Sequence, residues 1–529
     1  MALILGSRLL GFVRERAVAE VFGRSAETDA FKAAFNIPDL MYFLLVGGSI
    51  TAAFIPVFTE YLARGQERAG WRMASTFLNA AAALLLTATV AGVAFAPRLA
   101  PLVAYGFTGS QQQLLVELMR WMFPAVFLTA LAGLGIGVLN SYRTFTLPLL
   151  GPIVYNVAII LGAYVLGPVM GIRGMAVGTV AGAFLNAAIQ WSLVAASPFR
   201  WQRALDLTDP GVRRLLALML PAMVALSVTQ LSLVISTNLA STLPEGSITA
   251  LTLANRVMQF PLGVFAMGMS TVLFPAMASQ VALGQMEDFG EMVLRGLRGV
   301  LFFTIPSAVA LGVLAKPVIR LLFEAGAFGA RDTEATAAAL VGYSAALVSQ
   351  SGVQILTRAF YSLHDTRTPV AISCTALGLN TAISLAFLRW TSLGPVGLAL
   401  AFSVTSFVNW GLYLTLLQRR TPSFSPAQLA RFAATVLAAC LPMAAAAALV
   451  SGWAEGIWGT GPLAARFAQV GVAAGAGAVV YAGTSRLLGV QEARIAWSLG
   501  AQWASRLLGP GGWVRQLTRR LAGTGGTGL

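Results

Sequence analysis

The chain has 529 residues, of which 57% are hydrophobic and only 10% charged, against about 25% charged in an average soluble domain. Interior volume runs out before the apolar residues do, so soluble globular packing is excluded and the bilayer must solvate much of the surface. A formal charge of +15 would suggest nucleic acid in a soluble protein, but here the basic residues sit in short loops between apolar runs, where they orient helices and meet anionic headgroups; no nucleic-acid partner is expected.

A membrane helix needs about 20 apolar residues. By that ruler candidate spans fall near 1–13, 29–59, 74–96, 115–139, 147–168, 173–196, 215–240, 247–280, 293–315, 335–362, 369–389, 393–417, 428–450 and 464–485, roughly 14 helices in all. The first is too short to cross, so either the true start lies upstream or the helix runs through Arg14 to about Phe22. It has no basic leader and no small-residue cleavage site before Arg8, so a signal peptide is not expected. One set of loops is rich in arginine (Arg64, Arg68, Arg72; Arg200, Arg203, Arg213, Arg214; Arg419, Arg420) and the other is sparse, which places both termini in the cytoplasm.

The stretch Asn140-Ser141-Tyr142 with Pro148 recurs as Tyr361-Ser362-Leu363 with Pro369, and Phe35–Pro38 followed by Phe54-Ile55-Pro56 is echoed by Phe260-Pro261 followed by Phe274-Pro275. The expected fold is an all-α polytopic membrane protein with two parallel-repeat lobes of six helices around a central cavity, 1–200 and 201–420, then two further helices in 421–488. The basic segment 489–529 reads as an interfacial amphipathic tail with no specific role.

Charges at membrane depth are expensive unless they face a cavity or a partner. In the first helix Arg8 and Glu15 share a face, and Arg14 lies a third of a turn away; Gly11 could allow local unwinding that gathers the arginines. The alternative is that Arg14, Glu15 and Arg16 only mark the membrane boundary. The second span holds Asp29, Lys32, Asn36 and Asp39; Asp29 and Lys32, at i and i+3, could neutralise each other, while Pro38 and Gly47-Gly48 predict a bent, discontinuous helix. Arg256 lies in an apolar span with no acid within a helical turn, so it is either paired across helices or free for a ligand. Arginine suits a diphosphate because its planar fork binds two oxygens at once. Arg358 reads as a snorkelling residue.

Several patterns point away from catalysis. Gly133, Gly135 and Gly137 lie inside an apolar helix and read as close-packing positions, as do Gly475 and Gly477. There is no GxxxxGK[ST] loop. His364 is the only histidine, so zinc motifs and His-based triads built within the chain are excluded. Cys374 and Cys440 read as core residues. Neither an enzyme nor a cofactor is expected; a membrane potential or ion gradient would supply the energy.

The segments SRLLGFVRE (Ser7–Glu15), TDAF (Thr28–Phe31), AFIPVFTEY (Ala53–Tyr61), Asn140–Pro148 with Asn156, NRVMQFPLGVF (Asn255–Phe265) and FYSLHDTRTP (Phe360–Pro369) together resemble the MurJ/MviN family of lipid II flippases, in the MOP exporter superfamily. The resemblance implies a 14-helix transporter in the bacterial cytoplasmic membrane. Its cargo would be lipid II, the undecaprenyl-diphosphate-linked disaccharide-pentapeptide, carried outward for peptidoglycan synthesis. Membrane lipids and the cell-wall synthesis machinery are the other partners it suggests. It assigns substrate binding to Arg8, Arg14, Glu15, Asp29 and Arg256, and an apolar groove for the lipid tail to the last two helices. The chain departs from the family at Tyr42-Phe43, where many members have a basic pair, and Lys32 is the candidate replacement. A sodium site at Ser236, Asn380 and Ser384 lacks the acids other members use. The rival readings are another exporter of the superfamily (a polysaccharide-lipid flippase or a multidrug antiporter), a membrane scaffold and a lipid-modifying enzyme. The scaffold gives Arg256 no purpose, and the enzyme would need clustered acids or histidines.

Overall fold

Long apolar runs with internal backbone hydrogen bonding are the stable form in hydrocarbon, and the computed structural model is helical throughout, with no strand among the described residues. It describes residues 2–47, 50–421 and 423–494; the tail beyond 494 lies outside them. The first helix runs over Ala2–Phe22, through Arg14. Ten helices are long and apolar enough to cross a membrane, eleven if the bent pair Ala330–Ser344 and Ala346–Ser362 is one span. Fourteen is therefore not reached by that measure. The remaining candidates fall on Ala2–Phe22, on the broken run from Ala26 to Ala63 and on Pro210–Ala240. Large side chains such as Val169, Leu449 and Val479 stand exposed on these helices, as lipid-facing positions do.

The second span is discontinuous as its prolines and glycines predict. The Ala26–Ala34 helix gives way at Phe35 to Asn36–Tyr42, then to π-helical turns at Phe43–Gly47 and Ile50–Phe54 before Ile55–Ala63. The first helix, by contrast, is unbroken through Gly11; no unwinding gathers the arginines there.

Two compact units emerge. One comprises Met1–Phe260, Ala315–Ala346 and Asp365–Leu412; the other comprises Pro261–Leu314, Leu347–His364 and Tyr413–Leu529. Inside the first, Phe54, Phe58, Phe77 and Phe199 are buried with Leu134, Val138 and Leu215. Lipid is as apolar as leucine, so close packing rather than water expulsion holds such a core. Small residues allow it: a Cβ on Gly133 would sit 2.7 Å from Val46 and one on Gly137 2.6 Å from Ile50. In the second unit Gly477 packs on Met443 and Ala447, whereas Gly475 has open space around it and is not a packing position.

The sequence repeat has a backbone counterpart. Among the described residues only Arg143 (φ 60°) and His364 (φ 57°) adopt positive φ without being glycine. Each follows a helix whose buried serine, Ser141 or Ser362, returns its hydroxyl to the carbonyl four residues back, at 2.9 and 3.0 Å.

Candidate functional site

The site grows from the first turn of the chain. In the Ala2–Phe22 helix Glu15 shares the inward face with Val18 and Ala19, and all three are buried. The chain then reverses at Gly23, whose φ of 62° and whose distance of 2.7 Å from a would-be Cβ to the Ala327 carbonyl oxygen admit no side chain. Ser25 caps the following helix: its hydroxyl accepts from the Thr28 N–H, while Thr28 accepts from the Ser25 N–H at 2.9 Å. That turn brings Lys32 back alongside Glu15.

The result is one buried carboxylate holding three cations. Glu15 Oε1 accepts from Arg14 Nη2 at 2.8 Å and lies 3.1 Å from Arg256 Nη1. Glu15 Oε2 accepts from Lys32 Nζ at 3.0 Å. Arg14 also donates from Nη1 to Asn156 Oδ1 at 3.2 Å, and Asn156 is itself fixed by donating to the Pro152 carbonyl. The Glu15 side chain is only 8% exposed, Lys32 12%, Arg14 21% and Arg256 40%. Among the described residues no second carboxylate lies within ion-pair distance of the three cations. Within that distance three cations thus face one carboxylate, and Asp39 acts on Arg14 from farther away. Unit charges 4 Å apart interact by about 4 kcal/mol at an effective dielectric of about 20, so the cluster favours an incoming anion. Arg256 is its most accessible member.

Arg256 is paired across helices and also partly accessible. Arg14 and Glu15 meet residues of three other segments, Asn156, Lys32 and Arg256. Asp29 and Lys32 do not neutralise each other. Asp29, fully buried, accepts at 2.7 Å from each of the Gly246 N–H, the Thr249 N–H and the Thr249 hydroxyl. It therefore caps the Ser247–Pro261 helix from another segment, satisfying amides that have no partner within the helix. Arg8 is placed within the first helix, and its side chain lies outside the described residues. Of the sodium candidates, Ser384 donates to Asn380 Oδ1 at 3.0 Å, one turn earlier on the Arg367–Trp390 helix, while Ser236 belongs to Pro210–Ala240. Arg358 stacks on Phe274, its guanidinium carbon 5.7 Å from the ring centroid. Asn156 carried no signal of its own beyond lying in one of the resembling segments.

The second unit holds a different feature, an apolar cavity of about 660 Å³. One wall is the Met286–Val313 helix, through Phe302, Phe303, Pro306 and Ala310; the opposite wall is the Leu463–Leu487 helix, through Ala474, Ala478 and Tyr481. Met443 and Ala447 of Pro426–Trp458 complete it. Tyr481 donates its hydroxyl to the Phe302 carbonyl at 2.7 Å and so presents its ring to the cavity, whose other polar lining residues are Ser307, Ser485 and Arg486.

The chain matches the family model described as lipid II flippase MurJ over residues 18–468. A lipid II flippase MurJ of Burkholderia cenocepacia is 32% identical, covering 83% of this chain and 86% of its own. A probable lipid II flippase MurJ of Rhizobium meliloti is 31% identical over 90% and 91%. In fold, the chain is similar to a lipid II flippase MurJ in an inward closed conformation (TM-score 0.75, 24% identity, 92% and 97% covered). It is also similar to an inward-facing multidrug resistance MATE family transporter of the MOP superfamily (TM-score 0.67, 15% identity, 79% and 95% covered). With the family model matched across most of its length and a relative above 30% identity aligned over four-fifths of it, the chain belongs to the MurJ family of lipid II flippases.

Proposed function

We propose that this multi-pass membrane protein carries lipid II from the inner to the outer leaflet of the bacterial cytoplasmic membrane by alternating access, with both termini in the cytoplasm. The observation that carries the reading is the convergence of Arg14, Lys32 and Arg256 on the single carboxylate of Glu15. A diphosphate is the complementary charge, and guanidinium forks can bind its oxygens in pairs. In this reading Glu15 keeps the three cations together until the diphosphate replaces part of its contacts. Arg8 contributes from the same helix, and Asp29 acts at a distance by holding the helix that bears Arg256. Lys32 supplies a cation in a second span that has Tyr42-Phe43 where many members have two. The apolar cavity of the second unit takes part of the lipid tail.

The chain makes and breaks no bond in this cycle and needs no cofactor. A membrane potential can drive it, since each charge moved through 100 mV is worth about 2.3 kcal/mol. The test is complementation of cells depleted of their own flippase. Arg14→Ala and Arg256→Ala are each expected to abolish growth at normal protein levels, with lipid II accumulating in the inner leaflet. Growth rescue by both variants would remove the assignment.

A further inference from the structure

Part of the apolar cavity's wall is built by a segment beyond the last membrane helix. Along Leu463–Leu487 the lining residues Ala474, Ala478, Ala482 and Ser485 fall on one face, a run of about 16 Å at 1.5 Å per residue. Beyond Ser485 the helix stops in a Schellman turn: the Gly489 N–H donates to the Arg486 carbonyl at 3.1 Å and the Val490 N–H to the Ser485 carbonyl at 3.0 Å, with Gly489 at φ 72°. The turn folds residues 490–494 back under the helix. Val490 and Ala493 become buried, at 5% and 8% exposure, and Ala493 joins the cavity wall beside Ser485 and Arg486.

What holds this segment is an ion pair. Glu492 Oε1 lies 2.8 Å from Arg298 Nε, and Glu492 Oε2 accepts from Arg298 Nη2 at 3.4 Å. Arg298 stacks on Phe432, its guanidinium carbon 4.8 Å from the ring centroid. Side-chain exposures of 28% for Arg298 and 16% for Glu492 put the pair well above the surface class, whose contribution is small. Arg298 thereby ties the segment to the Met286–Val313 helix, the wall opposite the one from which the segment emerges.

We propose that the Arg298–Glu492 pair locks residues 490–494 as the floor of the cavity, and that this floor sets how much of a polyisoprenyl tail the cavity accepts. The inference builds on the reading of the cavity as a tail site. A chain longer than the cavity stops at Ala493 and must leave sideways into the bilayer. With the lock broken, a longer stretch of tail is admitted.

The experiment uses the full-length protein in nanodiscs, with Cys374→Ser and Cys440→Ala removing the native thiols and Ala493→Cys as reporter. Maleimide labelling is followed with and without polyprenyl monophosphates of short and long chain. With Arg298 and Glu492 intact, labelling is slow and independent of either lipid. Glu492→Gln is expected to speed labelling roughly tenfold, the factor that corresponds to losing about 1.4 kcal/mol of local closure. In that background the long-chain lipid restores protection and the short-chain one does not. The double exchange Arg298→Glu with Glu492→Arg is expected to return the slow rate, which separates the lock from general damage. An unchanged rate in Glu492→Gln overturns the lock. Faster labelling that no polyprenyl phosphate suppresses, or that a phospholipid acyl chain suppresses equally, overturns the tail-length role. Both outcomes are independent of the complementation result, which alone decides the flippase reading.

Discussion

Two regions of this molecule solve opposite problems with the same material. The cluster around Glu15 gathers three basic side chains on one largely buried carboxylate among packed helices. The cavity between Met286–Val313 and Leu463–Leu487 is lined mostly by apolar side chains, and the Tyr481 hydroxyl in its wall is tied to a backbone carbonyl. Charge in the bilayer is stable only when something pairs with it, so the cluster is held by electrostatics and poised for an anion. The cavity is held by packing, where small residues such as Ala474 and Ala478 leave space rather than fill it. A lipid-linked diphosphate needs both kinds of surface, and the contrast predicts that the two regions respond differently to substitution.

The largest effect belongs to Glu15. Removing one partner from a buried charge group leaves the others uncompensated, at about 3–5 kcal/mol. Glu15→Ala is thus expected to lower the thermal midpoint in detergent more than any other change in the cluster. Adding Lys32→Ala should recover part of the loss. Wild-type stability in the single variant would break the contrast at its root. Next comes Asp29→Ala, which strips the cap from the Ser247–Pro261 helix and leaves buried amides without a partner; a loss of roughly 2 kcal/mol follows. Thermal unfolding beside Asp29→Asn, which keeps one acceptor oxygen, measures it. Tyr481→Phe removes a single hydrogen bond and should cost about 1 kcal/mol, with transport preserved. Smallest in stability is Ala478→Trp. It points into open volume and should change stability by no more than about 0.5 kcal/mol while cutting transport, because the ring takes the space of the tail. A stable, fully active Ala478→Trp protein would detach the cavity from function.

Much of this was legible in the sequence because hydrocarbon imposes a simple rule. Runs of apolar residues gave helix ends within a few positions, as at 369–389 against Arg367–Trp390, and Arg256 stood out as a charge with no local partner. The partners themselves were not legible. Glu15 and Arg256 are 241 positions apart in the chain, and only the packed structure puts them 3.1 Å apart. Asp29 looked like a partner for Lys32 by helical spacing. The free amides of a distant helix end won its carboxylate instead. The segment after 488 read as an unspecific tail, yet its first residues fold against Arg298; a lone glutamate after a Gly turn gives no periodic signal to find.

The most direct test of the central claim is leaflet accessibility of lipid II in cells that depend on this chain alone. With the cluster intact, lipid II should become cleavable from outside; with Arg14→Ala or Arg256→Ala at matched protein levels it should stay protected. Equal external cleavage in those variants and in the unaltered protein would contradict the assignment of these cations to the substrate.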